Sequence, residues 1–146
     1  MIILGVDPGK TTGLAMIQVE EKKISLLATR ESKDTTALDF LDWIQQSDVV
    51  VVESFYVRPK KARTGAFDWD QMIAPQVIGS VTTLTKSQGK VLQMQPPGIK
   101  PVGYGYSNQK YVKNKKGLHQ QDAVAHAVYY AVHRLHALPI NNQKPS

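Results

Sequence analysis

The N-terminal segment GVDPGKTTG, residues 5–13, constrains the fold of this chain more than any other stretch. Gly9-Lys10-Thr11 has the ending of a phosphate-binding P-loop, but that pattern requires a glycine five positions before Gly9, and Leu4 stands there. A P-loop also opens a helix, whereas residues 12–19 carry no helix start signal. The apolar run 2–6, followed by Pro8-Gly9, instead predicts a β-hairpin with its turn at the proline and glycine.

Asp7 stands at the point where the first predicted strand gives way to the turn. An aspartate there either starts the turn by hydrogen bonding to its own backbone, or is held on a rigid strand as a ligand for a cation or a substrate. The hairpin alone leaves both interpretations open, and the rest of the chain has to decide between them.

Length and composition exclude several classes of protein. With 146 residues, we expect one domain over residues 1–138 and a flexible C-terminal tail over 139–146. The chain has no cysteine, which excludes disulfides, thiolate zinc sites and thiol nucleophiles. No apolar run approaches the ~20 residues of a membrane span, and the first residues already belong to a strand rather than to a leader. We therefore expect a cytoplasmic protein with no membrane partner.

The formal net charge of +6 is unevenly distributed. Residues 1–55 carry 5 basic and 9 acidic side chains, whereas residues 56–146 carry 13 basic and 3 acidic ones. Such asymmetry favours a polyanionic partner, nucleic acid above all, although a merely soluble basic surface gives the same count.

Apolar patterning predicts three strands before the first helix and alternating strands and helices after it. The run Val49–Val52 is continuously β-branched, which is typical of a central strand covered on both faces, and it ends in Glu53. The order β-β-β-α-β-α-β-α indicates an α/β sheet flanked by helices. The predicted elements after the hairpin are a strand at 24–30, a helix after residue 34, a strand at 48–53, a helix at 71–87, a strand at 91–95, an irregular Gly/Pro-rich stretch at 96–117 and a helix at 118–137.

Acidic side chains stand at three informative positions: Asp7 and Glu53 at strand ends, and Asp122 in the first turns of the last predicted helix. Each has an ordinary structural explanation as a turn starter, a solvent-facing strand end or a helix-dipole partner. If the two strands are neighbours, however, the carboxylates meet at one edge of the sheet, and clustered carboxylates repel one another unless a cation sits among them. Magnesium fits best because it prefers oxygen ligands and substrate phosphates. His119 lies one turn before Asp122 on the same helical face.

Three motifs carry a family resemblance: ILGVDPGKTTGLA, VVVVESFY and HQQDAVAHA. In order and spacing they resemble the motifs of RuvC-type Holliday junction resolvases, which belong to the ribonuclease H-like superfamily of nucleases. The match runs from Met1 to about Leu135. The resemblance implies a ribonuclease H-like fold with a five-stranded mixed sheet, and a homodimeric endonuclease that cuts four-way DNA junctions with two magnesium ions, for which manganese can substitute.

The resemblance also implies roles for individual residues. Asp7, Glu53, His119 and Asp122 become the catalytic and metal-binding set, with His or Asp accepted at the third position. Aromatic residues shortly after the glutamate would probe the junction centre, and basic side chains would approach phosphates. The implied DNA-binding residues are Phe55, Tyr56, Arg58, Lys60, Lys61, Arg63, Lys100, Lys110 and Lys113.

The sequence departs from the family pattern in three places. Residues 56–69 are unusually basic, the loop between Gln95 and Tyr104 is shortened, and His126 stands where the family pattern has an aliphatic residue. We interpret His126 as a packed or hydrogen-bonded histidine outside the site. The alternatives are a ribonuclease-like enzyme or a general branched-nucleic-acid nuclease of the same fold and, ranked below these, a non-catalytic nucleic-acid-binding module. A sugar-kinase-like ATPase would need a second domain. The apolar surplus of the helix 71–87 offers a subunit interface, unless its own sheet covers it.

Overall fold

A computed structural model describes residues 1–55, 72–113 and 115–143 of the chain. These ranges contain five strands, four α-helices and three short 3-10 turns. The strands are β1 (Ile2–Asp7), β2 (Thr12–Glu20), β3 (Lys23–Ser32), β4 (Val49–Glu53) and β5 (Val91–Gln95). The helices are α1 (Leu41–Gln46), α2 (Ile73–Ser87), α3 (Lys100–Tyr106) and α4 (His119–Leu135), and the 3-10 turns are Leu38–Phe40, Pro97–Ile99 and Ile140–Asn142.

The strands form one mixed sheet in the order β3-β2-β1-β4-β5. β1 pairs with β2, and β2 with β3, in antiparallel fashion, so the predicted hairpin at residues 2–20 is confirmed. β1 pairs with β4, and β4 with β5, in parallel. The predicted five-stranded mixed sheet flanked by helices is therefore confirmed, and the ends of β1 and β4 lie side by side.

The central strands are covered on both faces because their side chains alternate between two cores. Ile3, Val49 and Val51 pack with apolar residues of α4 in one core. Leu4, Val6, Val50 and Val52 point the other way and pack against α1, α2 and the 3-10 turn before α1. The buried residues there include Phe40, Ile44, Val77 and Val81. This alternation fixes which face of the sheet Asp7 and Glu53 occupy, since they continue the odd-numbered series that faces α4.

Two glycines allow α4 to lie directly on the sheet. A Cβ built on Gly13 would be 1.9 Å from the backbone oxygen of His119, and one built on Gly5 would be 2.2 Å from that of Ala123. Real Cβ atoms keep at least about 3.0 Å from such an oxygen. Only glycine therefore permits this separation between β1, β2 and the start of α4.

The segment predicted to be irregular, 96–117, contains the helix α3, so that prediction was wrong. Pro101 is at the second position of α3, where its missing N–H leaves no hydrogen bond unmade. Gly103 lets α3 press against α4, because a Cβ there would lie 2.4 Å from the oxygen of Ala125. The proline and glycines that suggested a loop thus start the helix and pack it closely, and they bury Tyr104 to 2% exposure.

The helix α2 agrees with the prediction at 71–87, although its apolar residues serve its own subunit. Val77 and Val81 are buried against the sheet, and Ile78 and Leu84 pack partly against the same core. The sheet therefore covers Val77 and Val81 completely and Ile78 and Leu84 in part, whereas Met72 is exposed. No helix in the described ranges is both long enough and apolar enough to cross a membrane.

Candidate active site

The two strand-end carboxylates come from neighbouring parallel strands. Asp7 is the last residue of β1 and Glu53 the last residue of β4, and the register pairs Val6 with Val52 directly before them. Both side chains lie on the face covered by α4, because they continue the alternation that places Ile3 and Val51 there. Two acidic side chains thus leave the sheet at the same edge and on the same side.

The start of α4 adds the other two predicted residues to this edge. His119 is the first residue of α4, and its Nδ1 lies 3.4 Å from Oδ2 of Asp7, while Asp122 follows one turn later. The close approach at Gly13 holds this end of the helix against the hairpin. All four members of the predicted set therefore border one region of the molecule.

Lys100 lies inside this acidic region. Its Nζ is 3.5 Å from Oε1 of Glu53 and 3.6 Å from Oδ2 of Asp122, and its side chain is 22% exposed. We predicted that Lys100 approaches DNA phosphates; in this structure its ammonium lies between two carboxylates.

Two buried side chains hold the inner oxygens of the same carboxylates, and neither was in the predicted set. The hydroxyl of Tyr104 donates a hydrogen bond to Oδ1 of Asp122. His126, fully buried, contacts Oε2 of Glu53 through Nε2 at 2.9 Å and the side-chain oxygen of Gln95 through Nδ1 at 2.9 Å. His126 is buried and hydrogen-bonded, as expected, but one of its partners is Glu53, a predicted metal ligand. The sequence signal for this position is its spacing of four residues from Asp122, which places both residues on one face of α4.

Burial dominates the electrostatics of Asp7. It raises the pKa of that carboxyl to about 6, and the charges of Glu53 and Asp122 add to the rise, while the hydrogen bond from His119 opposes it. The same hydrogen bond raises the pKa of His119 against the opposing effect of burial. Burial, more than the like charges of Glu53 and Asp122, is therefore what disfavours the ionised form of Asp7.

The pKa values of the neighbouring groups reflect their partners. Burial acts to raise the pKa of Glu53, but the hydrogen bond and charge of His126, together with Lys100, lower it below its usual value. The carboxylates raise the pKa of Lys100 although burial opposes this. Burial and donation to Asp122 raise the pKa of Tyr104, which keeps its hydroxyl protonated.

The donor set suits a hard divalent cation. Three carboxylates and an imidazole supply the oxygen-rich coordination that magnesium prefers, and the like charges of Glu53 and Asp122 add to the burial that raises the pKa of Asp7, as expected for carboxylates gathered without a cation among them. Within residues 1–55, 72–113 and 115–143, however, no three acidic or histidine side chains are arranged to hold a metal ion as they stand. The contacts of Lys100 with Glu53 and Asp122 would have to give way for both carboxylates to turn to a metal.

The predicted DNA-binding residues fall into two groups. Phe55 is half-buried two residues after Glu53, and Lys110 and Lys113 are exposed on the segment that leads into α4. A cavity of about 170 Å³ between this segment and α3 borders Asp122 and is lined by Lys100, Tyr104 and Tyr111. The remaining predicted residues lie outside the described part of the chain: Tyr56, Arg58, Lys60, Lys61 and Arg63.

Comparison with known proteins rests on structure rather than sequence. No protein-family model matches the chain, and no curated protein matches its sequence. Among solved structures, RuvC of Thermus thermophilus in complex with a Holliday junction substrate superposes with a TM-score of 0.60 at 16% identity, over 90% of this chain and 93% of the other. The chain has the fold of the RuvC-type resolvases.

Two further structures support the same fold. Another structure of Thermus thermophilus RuvC gives a TM-score of 0.58 at 19% identity, over 94% of this chain and 98% of the other. The yeast mitochondrial Holliday junction resolvase gives 0.50 at 11% identity, over 86% of this chain and 74% of the other. The RuvC-type fold implied by the three sequence motifs is thereby confirmed.

Proposed function

We propose that this protein is a magnesium-dependent endonuclease that resolves four-way DNA junctions. The observation that carries the proposal is the convergence of Asp7, Glu53, His119 and Asp122 at one edge of a sheet with the RuvC-type fold. The structures of similar fold include a RuvC bound to a Holliday junction substrate and a mitochondrial Holliday junction resolvase. The basic second part of the chain supports a polyanionic substrate.

The chemistry follows from the donor set. Asp7, Glu53 and Asp122 would hold two magnesium ions, with manganese as a substitute, and His119 would be a further ligand or would orient the attacking water. When bound, the metal would generate the hydroxide nucleophile and stabilise the leaving oxygen of the phosphodiester. The carboxylates would be kept in place from within the protein by Tyr104 and His126.

The basic residues would bind the DNA backbone without reading bases. Lys110 and Lys113 are exposed beside the candidate site, and Phe55 lies next to Glu53, where an aromatic side chain can stack on a base at the junction centre. Substrate choice would then depend on the shape of the branched DNA.

Resolution of a four-way junction also requires two nicks, whereas each chain offers one candidate site. We therefore propose a homodimer with two-fold symmetry acting on the symmetric substrate. Light scattering over a concentration series, with and without junction DNA, should give the mass of two chains. A monomer that nicks only one strand at saturation would instead support a general structure-selective nuclease.

A cleavage panel tests the activity. Four-way junctions, flaps, duplexes, single strands and RNA–DNA hybrids should be compared with magnesium, with manganese and with a chelator. Paired nicks in four-way junctions that depend on metal support the proposal. Preferred cutting of hybrids would favour the ribonuclease alternative, and the absence of any cutting would refute the enzymatic role.

Point variants test the site. Asp7→Asn, Glu53→Gln and Asp122→Asn should each abolish cutting while junction binding persists, because loss of a negative charge does not weaken phosphate attraction. Asp42→Asn, an exposed position on α1, is the matched control and should cut normally. Full activity in any of the three variants would remove that residue from the catalytic set.

A further inference from the structure

His126 is a polar side chain in a position where packing alone favours an apolar one. It is fully buried in α4, and its neighbours along the helix, Ala123 and Ala127, belong to the apolar core beneath the sheet. Burying a polar ring costs free energy unless every polar atom finds a partner. An aliphatic residue would fill this place at no such cost, so the stability of the core does not explain the histidine.

The strand register explains how His126 obtains two partners. β4 and β5 are parallel, and Glu53 is paired with Gln95 at their ends. Because paired residues on neighbouring strands point to the same face, both side chains reach α4, where His126 lies 2.9 Å from each. Gln95 is itself only 6% exposed, so the whole arrangement lies beneath the candidate site rather than in solvent.

The proton positions in this arrangement follow from the donors and acceptors. The carboxylate of Glu53 only accepts hydrogen bonds, so Nε2 of His126 must carry the proton that joins them. The amide of Gln95 can present either its oxygen or its nitrogen to Nδ1 by a half-turn, and it therefore satisfies that atom in either protonation state of the ring. Both ring nitrogens are satisfied, and the ring orientation is fixed from two sides.

The two carboxylate oxygens of Glu53 therefore have different partners. Oε2 is bound inside the protein by His126, whereas Oε1 faces the acidic region, where Nζ of Lys100 approaches it at 3.5 Å. A free glutamate side chain has several rotamers, and selecting one of them at the moment of metal binding costs affinity. The contact with His126 makes that selection in advance.

We propose that His126, held in turn by Gln95, is a positioning residue that fixes Glu53 with Oε1 presented to the metal. The inference rests on the proposed nuclease function, because it assigns Glu53 the role of a metal ligand. It adds a residue that touches neither substrate nor metal and that acts only through Glu53.

The experiment compares two replacements of similar size at one position. His126→Met fills the space without donating a hydrogen bond, whereas His126→Gln places an amide N–H where Nε2 stands. Calorimetry with manganese alone, on the DNA-free protein, should show affinity lower by about 10–100-fold in His126→Met and largely restored in His126→Gln. His133→Gln, on the exposed last turn of α4, is the matched control and should bind manganese as the wild type does.

A second variant covers the case in which His126→Met does not fold. Gln95→Leu leaves the bond between His126 and Glu53 but removes the support of Nδ1, and it should weaken manganese binding less than His126→Met does. Thermal denaturation of every variant separates loss of the fold from loss of metal affinity. The metal concentration that gives half-maximal junction cutting should rise in the same order as the calorimetric dissociation constants.

The outcomes separate the two hypotheses. If the wild type binds manganese and cuts junctions, while His126→Met or Gln95→Leu binds manganese equally well, the positioning role is refuted and the nuclease proposal stands. The positioning role is also refuted if His126→Met and His126→Gln lose manganese affinity equally and in parallel with their loss of thermal stability, because such a result indicates a structural role alone. A wild type that neither binds a divalent cation nor cuts DNA refutes the proposed function and this inference with it.

Discussion

Replacement of Gly13 by alanine should separate α4 from the sheet and disturb the candidate site through the backbone alone. A Cβ at this position would lie 1.9 Å from the carbonyl oxygen of His119 and 2.9 Å from the nitrogen of Gln120. These are backbone atoms of the first helical turn, so no side-chain rotation relieves the contact. The start of α4 has to move away by about 1 Å to reach the 3.0 Å that real Cβ atoms keep.

The size of the effect follows from this displacement. Overpacking that forces a backbone shift costs about 1–3 kcal/mol of the free energy of unfolding. For a chain of this length, that corresponds to a fall in melting temperature of roughly 2–12 °C. His119 would move relative to Asp7, and a 1 Å misplacement of a catalytic group lowers the rate by about 100-fold. Activity should therefore fall much further than the remaining folded fraction explains.

The assay pairs thermal denaturation with single-turnover cutting of a four-way junction at a temperature where the variant remains folded. Gly79→Ala is the matched control, because Gly79 lies in α2 with no atom within 4 Å of a built Cβ. That substitution should stabilise the protein by up to about 1 kcal/mol and leave cutting unchanged. A Gly13→Ala protein with wild-type melting temperature and rate would refute the close-packing argument.

Two further predictions concern Asp7 and Tyr104 of the candidate site, and a third concerns the basic segment that follows β4. Asp7 has a folded pKa of about 6 against 3.8 for the free group, so its own contribution to the stability of the metal-free protein should fall by about 3 kcal/mol as the pH rises through this interval; Asp7→Asn, compared with the wild type at each pH by denaturation in chelator, should be the more stable protein at pH 8 and should lose this advantage near pH 4. Tyr104→Phe removes the donor to Asp122 and should cost about 1 kcal/mol of stability and about tenfold in metal affinity, measured by denaturation and calorimetry, with unchanged junction binding. Neutralisation of the basic segment should weaken DNA binding and reduce the slope of log affinity against log salt by about 0.9 for each lost phosphate contact, and an unchanged slope in a titration would show that the segment does not meet DNA. The positions to neutralise are Arg58, Lys60, Lys61 and Arg63.

Local signals in the sequence were sufficient to predict the strands, whereas their arrangement in one five-stranded mixed sheet was implied by the family resemblance. The hairpin around Pro8-Gly9 and the β-branched run at 49–52 each specify a strand and its end without help from distant residues. Once β1 and β4 are neighbours, strand alternation alone carries Asp7 and Glu53 to the same face. The strand predictions that needed only hydrophobic periodicity and turn chemistry therefore agree with the structure.

The parts that could not be predicted depend on contacts between distant segments. Pro101 and Gly103 are helix breakers by local propensity. The helix α3 nevertheless forms, because Gly103 packs against α4 and the side chain of Tyr104 is buried. The role of His126 depends on Gln95 and Glu53, which are 31 and 73 residues away in the chain. Without the register between β4 and β5, a histidine four residues after Asp122 could not be distinguished from one that merely packs.

The donors around Asp122 and Glu53 approach these carboxylates from two sides. Tyr104 and His126 satisfy one oxygen each on Asp122 and Glu53 from the buried side, and Lys100 approaches the other oxygens from the open side. The buried contacts are hydrogen bonds from Tyr104 and His126, whereas the contacts of Lys100 are 3.5 and 3.6 Å long and involve a flexible side chain. A DNA phosphate is repelled by such a cluster until divalent cations neutralise it, since like charges at short range in a partly buried site are weakly screened. The scissile phosphate should therefore bind at this edge of the sheet only once metal is present, while the exposed lysines before α4 attract the rest of the DNA backbone independently of metal.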